Sequence, residues 1–129
     1  MNQRPLYIEL HIAGEPGRKS NSRRILKNPK TGKPFVVKSK KALQWTKNAL
    51  RQITGDKQLE AGSRERPLCI SFCVRYASYR PDLSTELILD MLQKARVISD
   101  DRWVFEKHEY KEIDPDNPGV DIVIEEHRT

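Results

Sequence analysis

From Leu6 to Ala13 the chain alternates Leu6, Ile8, Leu10 and Ile12 with Tyr7, Glu9 and His11, the two-residue period of a strand with one buried face. Gly14, Pro16 and Gly17 end that period, and a run rich in lysine, arginine and serine follows, with Asn28-Pro29 and Thr31-Gly32 as turn signals. Residues 14–34 read as a long basic loop, either a β-ribbon or partly disordered; a structureless excursion of that length within one domain is uncommon and usually functional. Pro34 to Lys38 reads as a short strand. Ser39 is placed to cap a helix from Lys40 to about Thr54, stopped by Gly55. Its buried side would be Ala42, Leu43, Trp45, Ala49, Leu50 and Ile53, with Lys40, Lys41, Lys47 and Arg51 outside.

After a polar link, Pro67 to Tyr76 places Leu68, Ile70, Phe72, Val74 and Tyr76 on one face of a strand. The other face, Cys69, Ser71 and Cys73, is small and partly apolar, which predicts a central strand covered on that side too, most simply by a helix. A second helix is predicted from Leu83 to about Ala95, packing through Leu83, Leu87, Ile88, Met91, Leu92 and Ala95. Ser99 to Arg102 reads as a tight acidic turn. Trp103 to Glu112 and Val120 to Glu126 then read as two adjacent strands joined by the turn-rich segment DPDNPG. The order β-(β)-α-β-α-β-β predicts an α+β fold with a mixed sheet of four to five strands and two helices.

A length of 129 residues fits a single domain over 1–129. The hydrophobic share of 36% beside 33% charged residues implies a small core and a heavily charged surface. No run of about 18 apolar residues and no apolar leader core is present, so a membrane span and a signal peptide are not expected and a cytoplasmic location is. Cys69 and Cys73 lie four apart in the predicted strand, roughly 13 Å, too far for a disulfide. They read as buried thiols. With only His11, His108 and His127 scattered elsewhere, a structural zinc site is not expected. Trp45, Trp103 and Tyr110 read as core residues.

The formal charge of +6 favours an anionic partner, nucleic acid first. Its distribution sharpens this, because no acid occurs between Pro16 and Gly55. Arg18, Lys19, Arg23, Arg24, Lys27, Lys30, Lys33, Lys40 and Lys41 are the candidate phosphate contacts. Guanidinium forks and backbone amides in a glycine- and serine-containing loop suit phosphate, and such contacts recognise shape rather than base sequence. Lysine-rich loops also serve simply as solubilising surface.

Acids concentrate instead between Arg80 and Asp101. Asp82, Glu86 and Asp90 follow at four-residue spacing, and Asp100-Asp101 closes the segment. In a helix beginning near Leu83 the first three would share a face. Mg²⁺ needs hard oxygen ligands and open positions for phosphate and water, which Asp82 and Asp100 or Asp101 would supply if the ends of the unit met, with Glu86 as a third ligand. Each also has a structural explanation: Asp82 as a helix cap, Glu86 beside a helix dipole, and Asp100-Asp101 as a turn.

Three segments, Ser20-Asn21-Ser22-Arg23-Arg24, Ser39-Lys40-Lys41-Ala42 and the series PDLS…LDML…SDDRWV, together resemble the RusA-type Holliday junction resolvases, small phage and prophage endonucleases. The resemblance implies a homodimer of RusA-like mixed fold and Mg²⁺- or Mn²⁺-dependent cutting of four-way, branched double-stranded DNA in recombination and repair. Neither membrane association nor a small-molecule cofactor is expected. Asp82 matches the first aspartate of the family pattern and Asp100-Asp101 the last pair, with Asp101 as ligand. Ser84 stands where a second aspartate is expected and Thr85 where an asparagine is, and no lysine occurs in the first two helical turns. A gapless alignment instead sets Asp82 at the second aspartate and Glu86 at the lysine. The candidate catalytic set is Asp82 and Asp101, on the resemblance, with Glu86 as a ligand that would compensate for the missing second aspartate, and the candidate metal set adds Asp100; Asp90 reads as structural. The alternatives are a catalytically inactive RusA-like protein that binds branched DNA and, more remotely, an RNA binder.

Overall fold

The computed structural model describes residues 5–16 and 23–128. Strand β1 (Tyr7–Ala13) buries every second residue, as its sequence demands. Strands β2 (Arg23–Lys27) and β3 (Pro34–Lys38) precede helix α1 (Lys40–Gln52). Then come β4 (Leu68–Tyr76), α2 (Glu86–Lys94), β5 (Val104–Ile113) and β6 (Gly119–Glu126). The main sheet has the order β1-β6-β4-β5. β6 is antiparallel to both β1 and β4, while β5 returns through α2 to lie parallel to β4.

Ala42, Trp45 and Ala49 of α1 share one core with Leu87, Ile88, Met91 and Leu92 of α2 and the inward aliphatics of β1, β4 and β6. This is an α+β domain with a mixed four-stranded sheet and two helices, as the element order predicts. The Ser39 hydroxyl caps α1 by accepting from the Ala42 amide at 3.1 Å. No described helix is long and apolar enough to cross a membrane.

Four expectations need correction. The last two strands are not neighbours, because β4 lies between them. Val120, Ile122 and Ile124 fit β6 for an interior slot, whereas the charged run EKHEYKE of β5 suits a solvent-facing edge. Secondly, no described helix covers Cys69, Ser71 and Cys73: the helices share the opposite face, and this one is half-buried among polar side chains. Thirdly, α2 begins at Glu86 rather than near Leu83. The Tyr76 hydroxyl donates to the Asp82 carbonyl at 3.2 Å and accepts from the Ser84 amide at 3.3 Å, tying up backbone that a longer helix would use. Finally, Leu43 and Tyr110 are exposed and Trp103 is half-buried, with the Arg102 guanidinium over its ring at 5.3 Å.

Strands β2 and β3 form a separate two-stranded ribbon, with Arg23 opposite Lys38 and Lys27 opposite Pro34. Its turn is built by Asn28, whose side chain accepts from the Lys30 amide at 2.9 Å and whose carbonyl accepts from Gly32 at 2.8 Å. Gly32 has φ +71, a conformation glycine adopts without a side-chain penalty.

Candidate nucleic-acid interface and metal ligands

The described part of the acid-free stretch holds the β2–β3 ribbon and α1. Lys27, Lys30 and Lys33 are exposed around the ribbon turn, and Lys40, Lys41, Lys47 and Arg51 are exposed on α1. No acid lies in the first turn of α1 to offset them. Arg23 and Arg24 belong to β2; Arg18 and Lys19 lie outside the described residues. The described lysines can bind phosphate as mobile point charges.

The acids are divided between two places. Asp82 is exposed in the loop before α2, which Lys111 of β5 secures by donating to the carbonyls of Pro81 at 2.5 Å and Tyr79 at 3.1 Å. Asp100 and Asp101 precede β5 at its other end. The Asp100 carboxylate accepts from the Arg102 amide at 3.0 Å and pairs with its guanidinium at 3.2 Å. That amide bond, reinforced by the guanidinium, holds the Asp100 carboxyl below its usual range. The Asp101 amide donates to Gln93 near the end of α2 at 3.2 Å.

From Val104 to Lys111 is roughly 23 Å of strand, and from Glu86 to Gln93 roughly 10 Å of helix. One Mg²⁺ with oxygen ligands near 2.1 Å cannot bridge such spans. Within one chain, therefore, Asp82, Glu86, Asp100 and Asp101 do not fit a common Mg²⁺ site. The helix shift also separates Asp82 from the expected acidic stripe, leaving Glu86 and Asp90 on α2. Where the resembled pattern expects Asp and Asn, this chain has Ser84 and Thr85. The Ser84 amide bonds to Tyr76, and Thr85 is buried with its hydroxyl on Glu109 of β5.

A group that sequence reasoning set aside does converge. Among the described residues, Cys69, Glu106 and His108 have ligand atoms within 4.8 Å of one another. A residue count along the chain does not show this, because it depends on how β4 and β5 are registered. Leu68 pairs with Val104 but Cys69 pairs with Glu106, so Phe105 is an extra residue in β5. A one-residue slip exchanges strand faces, and this bulge sets Glu106 and His108 on the face of Cys69. The spacing Glu106-x-His108 at alternate strand positions was the available signal. Burial, with Glu106 and Glu125 nearby, pushes the Cys69 thiol pKa up.

Compared with known proteins, the chain matches no family model and no curated sequence.

Proposed function

We propose that the protein binds branched double-stranded DNA through its β2–β3 ribbon and the outer face of α1, as a RusA-type endonuclease whose Mg²⁺ site is completed between two chains. The observation that carries the binding reading is the joining of exposed Lys27, Lys30 and Lys33 on a ribbon with exposed Lys40, Lys41, Lys47 and Arg51, with no acid between. Such a surface grips phosphates without reading bases, so branch geometry supplies the selectivity.

The catalytic part rests on the resemblance around Asp82 and Asp101 together with their separation. The two ends of α2 carry complementary halves of an acidic set. A two-fold partner would bring the Asp82 and Glu86 half of one chain to the Asp100 and Asp101 half of the other. When bound there, Mg²⁺ would supply Lewis-acid polarisation of the scissile phosphate.

Mixing single variants tests this. Asp82→Asn and Asp101→Asn are each expected to abolish cutting of a synthetic four-way junction in Mg²⁺, and mixing and re-equilibrating the two should restore part of it. In such a heterodimer one shared site loses both acids and the other keeps both. Inactive mixtures beside an active parent would place the acids in one chain's site; an inactive parent that still binds the junction would select the non-catalytic reading. The engagement of the Thr85 hydroxyl by Glu109, where the resembled pattern has an asparagine, favours that second reading.

A further inference from the structure

We propose that the open face of the sheet holds a zinc-type divalent cation, liganded by Cys69, Glu106 and His108, with His127 positioning the carboxylate. This does not rest on the DNA reading and involves none of the acids assigned to it.

Two ligand atoms on a tetrahedral zinc ion, at roughly 2.0 to 2.3 Å from the metal, stand roughly 3.3 to 3.8 Å apart. Ligand atoms already within 4.8 Å of one another need only a small closing movement. They are carried by adjacent strands, where Cys69 lies opposite Glu106 and His108 follows two residues later on the same face. Backbone pairing therefore limits the ordering cost of binding. Thiolate, imidazole and carboxylate together match zinc and other borderline ions and match Mg²⁺ poorly.

The surroundings resemble a supporting shell. His108 Nε2 lies 2.5 Å from one Glu106 oxygen, and His127 Nε2 lies 3.3 Å from the other. The buried Nδ1 of His127 has no hydrogen-bond partner, which favours placing the ring proton on Nε2, toward Glu106. His127 is itself fixed. Its backbone amide donates to the Pro67 carbonyl at 2.8 Å, and its ring meets Phe105 edge-on with centroids 5.8 Å apart. An outer imidazole that orients a ligating carboxylate is a recurrent feature of metal centres.

On binding, the Cys69 thiol releases its proton to solvent and its sulfur donates an electron pair to the cation, with no change of oxidation state. If His108 shifts from Glu106 to the metal, all three donors remain engaged. The exposure of Glu106 and His108 leaves the fourth position open to water or another small ligand.

The test uses the untagged full chain, stripped of metal and titrated with Co²⁺, followed by displacement with Zn²⁺. A thiolate-to-cobalt charge-transfer absorption should saturate at one ion per chain, disappear on Zn²⁺ addition and persist in excess Mg²⁺. It should be lost in Cys69→Ser and retained in Cys73→Ser. Affinity should fall by at least tenfold in His108→Ala and by about tenfold in His127→Ala. A missing band, or one that survives Cys69→Ser, overturns the proposal, as does a band lost with Cys73. If Cys69→Ser fails to fold by circular dichroism, the exposed His108→Ala decides alone: undiminished Co²⁺ affinity there also overturns it.

Discussion

The hydroxyl of Thr85 donates to the carboxylate of Glu109, joining the start of α2 to the edge strand β5. Thr85 is 3% exposed, so this bond closes the polar end of an otherwise apolar helix packing. Together with the nearby Lys107, at 3.3 Å, it holds the Glu109 carboxyl below its usual range. Thr85→Val should cost about 1.5–3 kcal/mol, the scale of a hydrogen bond to a charged group. A carboxyl with a lowered folded pKa contributes stability above its unfolded value, about 4.3, and loses it as pH falls through the folded value. Urea denaturation should therefore show a larger Thr85→Val penalty at neutral pH than near pH 3. An equal penalty at both would refute the assignment.

His11 lies between Asp121 at 2.7 Å and Glu9 at 3.1 Å, on adjacent strands where His11 and Asp121 are register partners. The bond to Asp121 raises the His11 pKa, against a smaller opposing effect of burial. Burial pushes Asp121 up, but bonds from Arg75 and His11 outweigh it and leave its carboxyl low. The His11 contribution is complete below its unfolded pKa, about 6.5, and is lost as pH rises through the folded value; that of Asp121 is present above about 3.9 and is lost as pH falls through its folded value. In an NMR titration His11 should titrate above 6.5, and Asp121→Asn should bring it back toward that value. A His11 midpoint unmoved by Asp121→Asn would contradict this geometry.

If the ribbon carries the DNA, replacing Lys27, Lys30 and Lys33 together by Ala should weaken junction binding and flatten its salt dependence. Three lost phosphate contacts correspond to a drop of about 2.7 in the slope of log affinity against log salt. Fluorescence anisotropy between about 50 and 200 mM salt measures it. An unchanged slope would move the DNA contact away from the ribbon.

Gly119 starts β6 where a Cβ would fall far inside contact distance of the Ile12 carbonyl oxygen and 2.8 Å from the Arg75 guanidinium. Gly119 is register partner to both Ala13 and Arg75, so relief would have to come from the backbones of two strand pairs. Gly119→Ala should destabilise by about 2 kcal/mol or more. A thermal midpoint equal to that of the parent would show that the strands yield at little cost.

Much of the fold was legible because its signals are local. The alternation of Ile8, Leu10 and Ile12 gives β1, Ser39 marks the start of α1, and the inward residues from Leu68 to Tyr76 give β4. What was missed depends on partners distant in sequence. The start of α2 is set by a hydroxyl on Tyr76, and the place of β5 is set by its pairing with β4. The candidate site divides in the same way. Exposed lysines on α1 follow from helical period, whereas the separation of Asp82 from Asp101 needs the direction of β5, and the meeting of Cys69 with Glu106 needs its register.

The bulge at Phe105 acts on β5 as an inserted letter acts on a reading frame. Were Phe105 instead paired regularly opposite Cys69, with no bulge, the strand would keep its composition but be turned over. Glu106 and His108 would then face the helices, while Lys107, Glu109 and Lys111 would face outward. Thr85 would lose its latch, the loop bearing Asp82 would lose its lysine clamp, and Cys69 would lose its neighbours. Three features spread over the molecule thus depend on how the strand accommodates the single residue Phe105.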